Sequence, residues 1–126
     1  MIDRRTRGRA AFLRGRWAER LALALLWLKG YRLLGRNLRT PFGEIDLLAR
    51  RGRVLAVIEV KARPDLATAR AAISPHQQAR LLNAVAWLVS RRDDFKDLQP
   101  RCDALLIAPG TWPRHLVNAF GDEIHF

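Results

Sequence analysis

The stretch Val54-Leu55-Ala56-Val57-Ile58-Glu59-Val60 constrains this chain more than any other, because it is apolar at every position but one. A short apolar run rich in β-branched residues predicts a strand covered on both faces. The preceding Gly43-Glu44-Ile45-Asp46-Leu47-Leu48 and the turn residues Arg51-Gly52 make it the second arm of a β-hairpin. Pairing around Arg51-Gly52 predicts a register with Glu44 opposite Glu59 and Asp46 opposite Val57. Side chains alternate with period two, so Glu44, Asp46, Val57, Glu59 and Lys61 then share one face. Asp46 and Glu59 become diagonal neighbours, roughly 7–8 Å apart at the backbone, near enough for two carboxylates to close onto one cation.

Charges in so apolar a strand should be paired, bound to a metal, or placed at its exposed end. Oxygen ligands select a hard divalent cation, and two carboxylates with a backbone carbonyl suit Mg2+ or Mn2+. Lys61 can polarise an attacking water or neutralise a pentacovalent phosphate as charge builds. The pattern is that of metal-assisted phosphodiester hydrolysis. The alternative is a solvated Glu59–Lys61 pair at a fraying strand end, with Asp46 in water.

The order Asp46, then Glu59-x-Lys61, within a hairpin resembles the active-site signature of the restriction-endonuclease-like, or PD-(D/E)XK, superfamily. More closely, the chain resembles the YraN-type family of uncharacterised bacterial proteins, a group predicted to be nucleases similar to archaeal Holliday junction resolvases. The matching stretches are Gly15-x-x-x-Glu19, Gly30-Tyr31-x-x-Leu34-x-Arg36-Asn37, Gly43-Glu44-Ile45-Asp46-Leu47, Glu59-Val60-Lys61-x-Arg63, Gln78-x-Arg80-Leu81, Arg101-x-Asp103 and Asn118-Ala119-Phe120. The resemblance implies a metal-dependent endonuclease in which Asp46 and Glu59 hold the metal, Lys61 activates water, and Glu19 and Gln78 assist. Glu19 would join the metal site directly, through water, or by orienting a ligand. By residue type alone it equally suits a surface pair with Arg16 or Arg20. Branched DNA as substrate and a two-fold homodimer follow from the resolvase analogy.

At 126 residues the chain suits one domain with one ordinary core. No apolar run approaches the roughly 18 residues a membrane span needs. The run Leu21 to Leu28 is too short, and Glu19 ahead of it does not fit a signal peptide. A cytoplasmic protein is expected. The lone Cys102 fits a reducing compartment and, on a strand, reads as core.

The net charge is +11, and arginine supplies 20 of the 23 basic residues. Residues 1–53 hold 14 Lys and Arg against four Asp and Glu. Arginine forks onto phosphate oxygens, so a polyanion is the expected partner, nucleic acid ahead of membrane, and the family resemblance implies DNA ahead of RNA. Arg36, Arg39, Arg63 and Arg80 are the candidate nucleic-acid contacts. Merely solvated arginines are the bland alternative.

Residues 1–9 read as a flexible basic arm and residues 10–126 as a single domain. Ala10, Leu13, Trp17, Leu21, Ala24 and Leu28 fall on one helical face, and Gly30 ends that helix. Strands are expected at about Arg32–Leu38, Glu44–Ala49 and Val54–Ala62, then a loop around Pro64-Asp65. Ser74-Pro75 opens a second helix reaching about Arg91. Strands at Arg101–Ile107 and His115–Phe120 complete an α-β-β-β-α-β order. The fold expected is an α/β, restriction-endonuclease-like core, a mixed sheet flanked by helices.

Gln77 has a sufficient role in a capping box with Ser74. Glu44 suits either the carboxylate site or a pairing with Lys61. Asp103, beside Arg101, reads as a buried structural carboxylate. His76, His115 and His125 lack metal-ligand spacing and read as surface or turn residues. Trp17, Trp27 and Trp87 read as core, and Trp112 as a packed loop aromatic or, if exposed, a stacking surface for an unpaired base. The competing function is a nucleic-acid-binding module that keeps the nuclease fold without turnover.

Overall fold

The computed structural model describes residues 4–119, with side chains described from Arg16 onward. The elements are α1 (Arg4–Leu28), β1 (Arg32–Thr40), β2 (Gly43–Arg51), β3 (Val54–Ala62), α2 (Leu66–Ala71), α3 (Pro75–Ser90), a 3-10 turn (Asp93–Phe95), β4 (Gln99–Ile107) and β5 (Arg114–Leu116). They build a five-stranded mixed sheet in the order β1-β2-β3-β4-β5, with β3 and β4 parallel and every other pair antiparallel. This α/β architecture is compatible with a restriction-endonuclease-like core.

The apolar β3 is central because both of its faces are covered. Ala56 and Ile58 pack with Ala18, Ala22 and Leu26 of α1, while Leu55 and Val57 pack with Leu81, Ala84 and Val85 of α3. Parallel pairing of β3 with β4 requires the crossover that α2 and α3 supply. Ser74 caps α3 by accepting the Gln77 amide, with Pro75 at the first helical position.

Several expectations are corrected. The buried stripe of α1 is Ala18, Ala22 and Leu26, and Trp17 and Trp27 are exposed. Small residues let the helix approach the sheet closely, which turns the bulky indoles outward. α1 begins at Arg4, inside the segment expected to be an arm, whereas residues 1–3 lie outside the described residues. Pro64 and Asp65 lie in the loop expected there, but a short helix not expected follows it. Asp65 accepts the Thr68 amide at 2.7 Å and caps α2, whose Ala69 packs on Ala104 and Leu106. β5 stops at Leu116, and Phe120 and His125 lie outside the described residues.

The β2–β3 register also differs by two residues. Arg51 pairs with Val54 and Leu48 with Val57, because the loop contains only Gly52 and Arg53, with Gly52 at φ +61°. A tight two-residue loop with glycine first sets that pairing. Asp46 therefore heads for a position directly across from Glu59, and the diagonal arrangement is not formed.

Candidate active site

β2 and β3 stop pairing at Leu47 and Ile58, immediately before the carboxylates. There the Asp46 Oδ2 accepts the Val60 amide at 2.9 Å, taking the place of a ladder carbonyl. On the other side of β2, Asp46 lies between the pairs Arg36–Leu47 and Leu38–Ile45, opposite Asn37, whose φ is +51°. Left-handed backbone in mid-strand breaks the alternation. Arg36 accordingly reaches α1, whereas Leu38 packs with the α3 core.

Glu59 and Lys61 are 8% and 5% exposed, and the Lys61 Nζ lies 3.4 Å from the Glu59 Oε1. Arg80 of α3 approaches from above. Its Nη2 lies 3.5 Å from the Glu59 Oε2, and its Nη1 donates to the Glu44 carbonyl at 3.0 Å. Gly43 makes room for it, since a Cβ there would fall 2.6 Å from the Arg80 Nη1. The Glu59 Oε2 is buried and accepts no hydrogen bond among the described residues.

Burial pushes the Asp46 carboxyl above its ordinary value, with Glu44 adding to the rise while the Val60 amide, Lys61 and Arg80 oppose it. Burial and then the charge of Asp46 push Glu59 up, against Lys61 and Arg80. Two crowded, partly desolvated carboxylates with an unsatisfied oxygen fit a divalent cation. Among the described residues no three His, Cys, Asp or Glu side chains gather as a metal-binding group. Two carboxylates suit Mg2+ or Mn2+ that keep several waters.

Glu19 stands apart from this pair. Its Oε1 bonds the Arg36 Nη1 at 3.2 Å. Arg16, Glu19, Arg20, Leu23, Arg36 and Asn37 line a cleft of about 410 Å³ between α1 and β1. Asn37 belongs to this cleft and also faces Asp46, so the two regions adjoin. Arg39 is exposed opposite Glu44, which is itself exposed. Arg63 donates its amide to the Ile107 carbonyl and its Nη1 to the Ala62 carbonyl. Gln78 is partly buried in the first turn of α3. Gln77 carries a buried Oε1 without a hydrogen bond among the described residues, and Arg80 is an α3 side chain set against Glu59.

Asp103 serves a separate network. It is fully buried and takes two bonds from Arg101, at 2.8 and 2.7 Å, one from the His115 Nε2 at 2.8 Å and one from the Asn118 amide at 2.9 Å. Arg101 also donates to the Tyr31 hydroxyl at 2.6 Å. Lys29 contacts the His115 Nδ1, so the Nε2 carries the hydrogen given to Asp103. Burial alone would raise Asp103, but the bonds from His115, Arg101 and Asn118 outweigh it and hold the carboxyl low. His115, expected at the surface, is an inward side chain of this network. Cys102 is buried, and desolvation followed by the neighbouring Asp103 pushes its thiol up to about 12, which leaves it unreactive.

The chain matches the model of Uncharacterised protein family UPF0102 over residues 18–107. It is 54% identical over 113 residues to the UPF0102 protein of Parvibaculum lavamentivorans, covering 90% of this chain and 85% of that one. With the UPF0102 protein of Caulobacter vibrioides it shares 50% identity over 118 residues, 94% of each chain. With that of Rhodopseudomonas palustris it shares 51% over 112 residues, 88% of this chain and 85% of the other. The matched region runs from the α1 stripe through Asp46, Glu59, Lys61 and Arg80 to the end of β4. The chain belongs to the UPF0102 family, the YraN-type family its motifs resemble.

Proposed function

We propose that this protein is a metal-dependent endonuclease that hydrolyses phosphodiester bonds of DNA. The observation that carries the reading is the pair Asp46 and Glu59, both raised by burial, at the point where β2 and β3 part. A Mg2+ or Mn2+ ion between them would supply Lewis-acid polarisation of a phosphoryl oxygen and an activated water. Asp46 is oriented for this by the Val60 amide, and Glu59 by Lys61 and Arg80. Lys61 would orient the incoming water or meet charge on the phosphorane, and Arg80 would meet a phosphate oxygen. Arg36, Arg39 and Arg63 would seat neighbouring phosphates. Glu19 would act by holding Arg36, with the ligand role implied by the family left as a water-mediated contact.

A non-catalytic nucleic-acid-binding module is favoured by one specific observation. Glu59 already has two internal cations, Lys61 and Arg80, so the site is partly self-neutralised. Cleavage of labelled single-stranded, duplex, flapped and four-way-junction DNA in Mg2+, Mn2+ and EDTA separates the readings. Metal-dependent cutting, lost in Asp46→Asn and Glu59→Gln with binding retained, is expected. Salt-sensitive binding without cutting would establish the binding module, and cleavage surviving both substitutions would remove these residues from the site.

A further inference from the structure

The carboxylates sit at one rim of the sheet, where β3 and β4 both end. The same rim carries the β1–β2 turn, which holds Pro41 and Phe42, and the β4–β5 loop that leads to Arg114. Lys61 is level with Leu106, and Leu106 with Arg114, so the three form a row across the sheet. With strands about 4.8 Å apart, the Arg114 backbone lies about 10 Å from that of Lys61. Trp112, two residues earlier, therefore lies within roughly 17 Å of it. On the opposite flank, Phe42 immediately precedes Gly43, on which Arg80 rests.

Both rings face solvent, Phe42 at 45% and Trp112 at 86% exposure. Exposed hydrophobics are ordinary when scattered singly, so exposure alone decides nothing. Position does, because each ring occupies a hairpin connection on the rim that holds Asp46, Glu59 and Lys61. Each also has basic residues close by: Arg39 three residues before Phe42 and Arg80 against the Gly43 that follows it, and Arg114 two residues after Trp112, with Arg63 bonded to the end of the strand that leads into that loop. An aromatic face with guanidinium groups near it holds a single strand, the ring stacking a base and the cations meeting its phosphates. A base inside a duplex is already stacked on its neighbours and offers no free face.

We propose that Phe42 and Trp112 are stacking platforms for unpaired bases on either side of the site, so that the protein selects a nucleic-acid strand that is single or melted there. The assignment of the site between them rests on the hydrolytic reading above. The stacking itself does not.

The test is binding of the full chain to a labelled thymidine oligomer and to a hairpin duplex of equal length, in EDTA, where cleavage plays no part. Phe42→Ala with Trp112→Ala is expected to weaken oligomer binding by about tenfold or more and duplex binding by less than about twofold. Trp112→Phe, which keeps a ring, should restore most of the loss caused by Trp112→Ala, and oligomer should quench Trp112 fluorescence. Unchanged oligomer affinity in the double variant, or equal loss on both ligands, would overturn the proposal. Normal binding by the aromatic variants together with metal-dependent cutting would remove the platforms and leave the nuclease. Discriminating binding without cutting in any metal would do the reverse.

Discussion

Burial pushes the Asp46 and Glu59 carboxyls above their ordinary values, and this has a consequence for pH. A carboxyl whose folded pKa lies above its unfolded value contributes stability that is complete below the unfolded value and is lost as pH rises through the folded one. Asp46→Asn keeps an oxygen for the Val60 amide and removes one of the two charges. It is expected to leave the melting temperature unchanged or raised at neutral pH, while cleavage falls by about a hundredfold or more. Melting curves between about pH 4 and 8 check the first part, since the variant's advantage should grow with pH over the carboxylate range. Asp103 has the opposite sign. Its lowered pKa makes its contribution full above the unfolded value and lost as pH falls through the folded one. Asp103→Ala leaves Arg101 and His115 facing an empty position and should cost about 3 kcal/mol in urea unfolding, with little effect on metal-dependent chemistry, because Asp103 alternates with Cys102 and so belongs to the α1 side of the sheet. The residue types already separated these roles: Arg101-x-Asp103 on one strand face supplies its own partner, whereas Asp46 and Glu59 have no cation of equal proximity in sequence apart from Lys61.

At the scale of elements, Arg80 ties α3 to the hairpin at Gly43, beyond the core packing of Leu81, Ala84 and Val85 on it. Gly43 has φ +120°, which a side-chain-bearing residue adopts only under strain, and a Cβ would also displace the guanidinium. Gly43→Ala should cost about 1–3 kcal/mol and lower cleavage by about tenfold. Arg80→Ala and Gly43→Ala should be strongly non-additive in a double-mutant cycle, since both remove one interaction. The hairpin, the central strand and the capped α3 were legible because alternation, apolar length and Ser74-Pro75 are local signals. The expected register differs by two because it depends on whether Gly52 opens or closes the loop, a difference of conformation rather than composition. The buried face of α1 was missed because alanine and tryptophan count alike as apolar, while only alanine permits close packing on the sheet. The six-residue α2 was overlooked because so short a helix has almost no periodicity. Its signal was the cap, Asp65 three residues before Thr68. Arg80 bridging to Glu59, and the Lys29–His115–Asp103 chain, join residues far apart in sequence and needed the fold to be seen.

For the whole molecule, the charge of +11 sets how it meets a polyanion. The logarithm of duplex DNA affinity should fall linearly with the logarithm of salt concentration, with a slope near −0.9 per phosphate contacted. Arg36→Ala and Arg39→Ala should each shrink that slope by about one, measured by fluorescence anisotropy, and a slope unchanged by either would place the strand elsewhere. No helix in the described residues is long and apolar enough to cross a membrane. The central claim is that the rim where β2 and β3 part holds a divalent cation between Asp46 and Glu59. Calorimetric titration of Mn2+ into the full chain, beside Asp46→Asn with Glu59→Gln, tests it most directly. The account predicts one saturable site per chain that weakens as pH falls through the raised carboxyl range and vanishes in the double variant. Binding of equal strength in the double variant, or none in the wild type with DNA present, would contradict it.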